Sequence, residues 1–192
     1  MTKTDPQQLI LEAVITCIEK YGLEKTTTRK IAREAGTNIA SINYYFRSKD
    51  DLIAKALDVT LQHMKEDLIE IVQEEERSFK VVLREWMLYL IEGSQRYPRV
   101  FMAHMYAPLV EKRFDTPGPQ AFREMVDLLS ERAEQAYPQI NVQVLRLGLV
   151  DVISAVLFRI LAPQFFPASE KLSPSELSVR YTKMFTQVIS GN

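Results

Sequence analysis

The chain has 192 residues, 46% hydrophobic and 26% charged, which is enough apolar material for a packed core and argues against disorder. A single cysteine, Cys17, excludes an intrachain disulfide framework, and with only two histidines, His63 and His104, a Cys/His zinc site is implausible. Net charge is −1, yet residues 1–49 hold eight basic side chains against five acidic ones, so a basic head precedes an acidic body.

Leu9, Ile10, Ala13, Val14, Cys17, Ile18 and Tyr21 recur at three- and four-residue spacing, which predicts an amphipathic first helix that Gly22 ends. Thr26, Thr27 or Thr28 can cap a short second helix running through Glu34. Ala35-Gly36-Thr37 then reads as a tight turn, and Thr37 or Asn38 as the cap of a third helix to about Tyr45. Ser48-Lys49-Asp50-Asp51 has the form of a capping box opening a long fourth helix, whose apolar positions run from Leu52 to Ile71. A fifth helix carries Phe79, Val82, Leu83, Trp86 and Leu90 and ends near Tyr97-Pro98. A sixth begins there, and Pro108 bends or ends it.

Residues Phe114 to Pro119 read as the clearest internal loop. A seventh helix (Phe122, Met125, Val126, Leu129, Ala133) stops before Pro138, and two more, at about 141–162 and 174–190, flank the proline-punctuated stretch Pro163–Pro167. The pattern predicts an all-α protein of about nine helices: an N-terminal three-helix domain over residues 1–50, a long connecting helix, and a C-terminal helical bundle within residues 51–192. The polar N-terminal residues lack the apolar stretch of a signal peptide, and no run approaches the roughly 20 apolar residues of a membrane span. A soluble, cytosolic protein is expected.

The segment Thr26–Lys49 carries the functional signal. Two helices joined by a short turn containing glycine form the geometry that can place the second helix in a major groove. Ile31, Ala32, Ala35, Ile39 and Ile42 are expected to lock the helices together, while Arg29, Lys30, Arg33, Arg47 and Lys49 stand where phosphates would be approached. Thr37, Asn38, Ser41, Asn43 and Tyr44 would put small polar groups and an aromatic ring on the candidate recognition helix. From spacing alone, a helical hairpin whose polar residues merely face water is an equal alternative.

The full pattern TTTRKIAREAGTNIASINYYFRSKDDL resembles the N-terminal signature of the tetracycline-repressor (TetR) family of bacterial transcription regulators. Ala32, Ala35-Gly36, Tyr44-Tyr45-Phe46, Ser48-Lys49 and Leu52 occupy the signature positions, and the match covers about residues 8–55. The resemblance implies DNA contacts at Thr28, Thr37, Asn38, Ser41, Asn43, Tyr44 and Lys49, with Phe46 as a core anchor. Asn43 stands where many members have Tyr, and Tyr45 where His is frequent. A single short recognition helix reads too few base pairs to be selective, which calls for a two-fold dimer on a palindromic double-stranded DNA site.

Residues 141–162 hold too many aliphatic side chains for one helix face, and residues 174–190 present a stripe of Leu177, Tyr181, Met184, Phe185, Val188 and Ile189. The resemblance implies that these two helices pair two copies of the chain; a purely intramolecular core is the alternative. Trp86, Tyr89, Phe101, Met105, Phe122, Met125 and Phe158 would line an apolar pocket for a small-molecule effector, with His104, Arg146 or Arg159 orienting it; side chains of this kind at this spacing also serve as plain core. In the resembling family, ligand binding shifts the spacing of the two heads through the fourth helix. Repression is the expected mode, with no cofactor and no metal. An enzyme is disfavoured because no Gly-rich phosphate loop or ligand-spaced acids are present, and a helical adaptor for protein partners remains a rival.

Overall fold

The computed structural model describes residues 5–166 and 172–190. Among these residues every regular element is helical: α1 (Pro6–Tyr21), α2 (Thr28–Glu34), α3 (Ile39–Tyr45), α4 (Lys49–Gln73), α5 (Phe79–Arg96), α6 (Pro98–Tyr106), α7 (Pro117–Ala136), α8 (Val142–Leu161) and α9 (Pro174–Ser190). A π-helical turn spans Ala107–Glu111 and a 3-10 turn spans Pro163–Phe165. The all-helical expectation and the helix count both hold. The chain divides into two compact units, one of residues 1–63 with 97–119 and one of residues 64–96 with 120–192. Helix α4 belongs to both.

In the first unit, α1, α2, α3, the start of α4 and α6 share one core. Ile10, Val14, Cys17 and Ile18 from α1 meet Ile31 and Ala32 of α2, Ile42 of α3, Phe46, Leu52 and Ala56, with Val100 and Ala103 of α6 closing it. Asp5 caps α1 by accepting the Gln7 amide at 3.0 Å, and Pro6 opens the helix where a missing N–H costs nothing. Cys17 is wholly buried, and burial is the main cause that pushes its thiol above the ordinary range. Helix α6 has no cap of its own. Glu19 supplies one, its carboxylate accepting the Arg99 and Val100 amides at 3.1 and 3.2 Å.

The second unit is built on α5, which packs chiefly against α9 and also against α8. Val82, Leu83, Trp86 and Met87 are buried beside Leu145, Leu149, Val152 and Ile153 of α8 and Leu177, Tyr181 and Phe185 of α9. Phe79, Tyr137 and Phe185 form an aromatic cluster with ring centroids 5.5–6.5 Å apart. Gly148 lets α9 come close, since a Cβ there would lie 3.3 Å from Val188 and 3.4 Å from Ile189. Asn141 caps α8 through the Gln143 amide at 2.8 Å, and Ser173 with Glu176 forms a reciprocal capping box at α9.

Two sequence expectations need correction. Residues Pro117 to Pro119 are not loop: they form the first turn of α7, because proline is tolerated there and its fixed φ suits the helix. Gly118 also has a packing role, since a Cβ at that position would sit 2.9 Å from the His104 carbonyl oxygen. Ile39 does not help lock the helices together; it is 42% exposed. Pro108 falls inside the π-helical turn, which ends with Lys112 in the left-handed region at φ 59°. Of the Pro163–Pro167 stretch, Pro167 lies outside the described residues.

The α2–α3 turn is a Schellman motif. The Thr37 amide reaches the Ala32 carbonyl at 2.9 Å and the Gly36 amide reaches Arg33 at 3.3 Å, with Gly36 at φ +64°. Open space surrounds Gly36, so a substitution there is opposed by backbone conformation alone. Gly36→Ala should lower stability by about 1–2 kcal/mol and Gly36→Asn by less. Equal losses in denaturant unfolding of the two variants would contradict a purely conformational cost.

Candidate nucleic-acid interface

Each end of the α2–α3 pair is set by one side chain. Thr27, not Thr26 or Thr28, caps α2, its hydroxyl 3.4 Å from the Lys30 amide; Thr26 is buried and donates to the Gly22 carbonyl at 2.8 Å. Asn38 caps α3, its carboxamide oxygen accepting the Ser41 amide at 2.8 Å. Downstream, Phe46 is buried at the C-cap of α3. The Ser48 hydroxyl accepts the Asp51 amide at 3.1 Å. The Asp51 carboxylate accepts the Arg47 amide at 3.1 Å and the Lys55 ammonium at 3.2 Å. Those bonds, the Arg47 amide first, hold the Asp51 carboxyl below its usual range. The junction from α3 into α4 is therefore bonded on both sides.

This frame fixes what α3 exposes. Ile42 and Phe46 face the core, Tyr45 is half-buried with its ring edge-on to Tyr44 at 5.0 Å, and Tyr44 is 83% exposed. Asn38, Asn43 and Lys49 are exposed; Thr28, Thr37 and Ser41 are half-buried. All the side chains expected to contact DNA thus lie in one unit, on or beside α2, α3 and the start of α4. Two further exposed residues, Ile39 and Ala40, lie on the face of α3 that carries Asn43 and Tyr44. Their spacing of four residues from Asn43 and Tyr44 was the available signal, and hydrophobic character pointed the wrong way.

The cations sort into two groups. Lys20 pairs with Glu34 at 2.7 Å, and that bond raises its pKa. Lys30 donates to the Lys25 carbonyl at 2.7 Å and lies 4.2 Å from the centre of the Tyr21 ring, and Arg33 donates to the Tyr21 hydroxyl at 3.3 Å. Lys25, Arg29, Arg47 and Lys49 are exposed, and among the described residues their side chains make no ion pair or hydrogen bond.

The side chains expected to line an effector pocket divide between the units. In the first, His104 lines a cleft of about 600 Å³ with Leu23, Lys49, Ile53, Leu57 and Tyr106. Met105 lines a neighbouring cleft of about 300 Å³, and Phe101 is half-buried. In the second, Trp86 is wholly within the core, while Phe122 and Met125 are half-buried. The Tyr89 hydroxyl donates to Asp67 at 2.6 Å; burial, then that carboxylate, lifts its pKa well above the ordinary tyrosine range. Phe158, 54% exposed, stacks on Phe165 at 5.9 Å, and the Arg159 guanidinium lies 4.6 Å from the Phe166 ring. Arg146 pairs with Asp127. A more polar cleft of about 610 Å³ lies between Val72, Gln73, Glu75, Leu128, Glu131, Arg132 and Gln135, residues the sequence did not single out.

His104 is a tie rather than an exposed group. Its Nε2 lies 2.8 Å from the Thr60 hydroxyl of α4, which already donates to the Leu57 carbonyl at 2.7 Å. The hydroxyl proton is therefore committed, and His104 Nε2–H donates to Thr60. Burial pushes the His104 pKa down to about 4.

A capped two-helix pair with an exposed polar and aromatic second helix has the geometry of a helix-turn-helix. Residues 10–56 match the family model described as bacterial regulatory proteins, tetR family. Over 70 residues the chain is 37% identical to the HTH-type transcriptional dual regulator CecR of Shigella flexneri, covering 36% of this chain and 31% of that protein. The chain thus spans about a third of the length of the curated relatives it matches. The fold is similar along its length to a TetR-like transcriptional regulator from Rhodococcus sp. RHA1 (TM-score 0.68, 16% identity, 100% of both chains covered). It is also similar to the regulator FadR of Bacillus subtilis, solved with stearoyl-CoA (TM-score 0.64, 16% identity, 96% of this chain and 98% of that one). The similarity to the TetR family in sequence thus lies in the helix-turn-helix segment, residues 10–56, while the rest of the chain shares the fold.

Two outcomes follow from the geometry. Tyr44→Ala should change unfolding stability by no more than about 0.5 kcal/mol, because the ring is exposed, whereas Phe46→Ala should cost about 3–5 kcal/mol. Comparable losses would mean that the two aromatic roles are misassigned. The folded pKa of His104 lies below its unfolded value, so its contribution to stability is complete above about pH 6.5 and is lost as pH falls toward 4. Wild type should therefore lose up to about 3 kcal/mol more than His104→Gln across that window in chemical denaturation. Parallel pH profiles would refute a buried neutral imidazole.

Proposed function

We propose that the chain binds double-stranded DNA as a homodimer, reads a palindromic operator, and acts in the cytoplasm as a repressor released by a small, mostly apolar ligand. Residues 1–50 form the DNA-binding domain and residues 51–192 the ligand-binding and dimerisation domain. Thr28, Thr37, Asn38, Ser41, Asn43, Tyr44 and Lys49 are the proposed DNA contacts. The observation that carries the reading is that Arg29 of α2 and Arg47 and Lys49 at the α3–α4 junction stay exposed and unpaired, while Lys30 and Arg33 of α2 are spent on internal contacts. Unpaired cations are available to displace counterions from phosphates, and the groups on α3 are available to bases.

Helices α8 and α9 are the proposed dimer surface. They pack on each other within the chain, yet Val144, Leu147 and Phe158 of α8 and Val179 and Val188 of α9 stay exposed. The first three share one heptad-like stripe with Asp151 and Ser154. A second copy covering that stripe would bury it and supply the second head that a palindromic site requires. The acyl ligand of FadR, a protein of similar fold, supports an apolar effector. Such an effector releases DNA only as far as it prefers the conformation that cannot bind it.

Selection of bound duplexes from a random pool should yield a palindromic consensus. Affinity should fall with salt, and Lys49→Ala should flatten the log–log slope by about 0.9 per head, or about two for a dimer. An enriched site without two-fold symmetry would remove the dimer from the proposal. A salt slope unchanged by Lys49→Ala would remove that side chain from the phosphate contacts.

A further inference from the structure

The outward surface of α3 is half apolar. Ile39 and Ala40 are exposed on its first turn, and Asn43 and Tyr44 follow them one turn later on the same face. Elsewhere in the same core the isoleucines of α2 and α3 are sealed, Ile31 completely and Ile42 at 2% exposure, whereas Ile39 stands out at 42%. Scattered aliphatic side chains are ordinary on protein surfaces, so exposure alone carries no weight. Position does. A docked helix-turn-helix directs the opening residues of its second helix at base edges, and here those residues have no hydrogen-bonding group. In the major groove the one apolar feature a base presents is the 5-methyl group of thymine. The carboxamide oxygen of Asn38, next to Ile39, accepts the Ser41 amide, which holds that side chain against the start of the helix.

We infer that Ile39, flanked by Ala40, selects a thymine at one fixed position of each DNA half-site by contact with its 5-methyl group. The inference rests on the DNA-binding reading above and adds to it a specificity residue and the base it selects. The neighbouring Asn43 carboxamide has the donor and acceptor that an adenine edge requires, so the apolar and polar halves of this face would read adjacent base pairs differently.

The test uses the full chain and the duplex it enriches from a random pool. Each thymine of the site is replaced in turn by deoxyuridine, which keeps the base pair and removes only the methyl group. At one position per half-site the replacement should weaken wild-type binding about fourfold, and about fifteenfold when both half-sites are changed. Ile39→Ala, at an exposed position, should melt like wild type and bind the thymine and uracil duplexes with a ratio near one, while Ile39→Val should keep most of the discrimination. The inference is overturned if wild type is indifferent to uracil at every thymine, or if Ile39→Ala keeps the full ratio. Failure to enrich any duplex would instead overturn the DNA-binding reading, and this one with it.

Discussion

A helix of seven residues does not hold itself together in water, where even favourable sequences need about 12–15 residues to persist. Helix α3 spans only Ile39–Tyr45, so its existence depends on burial of Ile42 and of Phe46 just beyond its end. Everything around it serves that condition. Gly36 turns the chain without strain, Asn38 caps the start, and Asp51 with Ser48 bonds the exit to the 25-residue helix α4. The outward residues contribute little to stability, which leaves Asn43, Tyr44, Ile39 and Ala40 free to vary without cost to the fold.

The same economy governs charge. A net charge of −1 does not suggest a polyanion as partner. The distinction that matters is between cations satisfied inside the protein and cations left to solvent. Lys20, Lys30 and Arg33 hold the α1–α2 packing through Glu34, the Lys25 carbonyl and Tyr21. Lys25, Arg29, Arg47 and Lys49 are left over. The family-model match over residues 10–56 and this partition of charge are independent observations on the same segment.

Much of the first unit was legible in the sequence because its signals are local. Gly36, the candidate caps and the apolar period of α1 each act within a turn or two of the chain, and the structure only chose Thr27 over its neighbours and Asn38 over Thr37. Hydrophobicity alone points Ile39 to the core, yet on the first turn of a seven-residue helix it stays 42% exposed while Ile42 is sealed. Pro117-Gly118-Pro119 has the composition of a loop yet opens α7, because the residues that make loops also open helices. The His104–Thr60 bond joins residues 44 apart, and no periodicity announces such a pairing. For the effector site the difficulty is chemical. Trp86 and Phe158 look alike in a helical pattern, yet one is wholly buried core and the other largely exposed.

The lone cysteine has a practical consequence. Cys17 is sealed inside the α1 core, with its thiol pushed toward the unreactive protonated form by that burial. Maleimide chemistry under native conditions would pass it by, leaving the natural chain a silent background for labelling. A single cysteine placed on the outward face of α3 or α8 could carry a fluorophore or spin label, and distances between two copies, or between a head and its DNA, could be followed without first removing a native thiol.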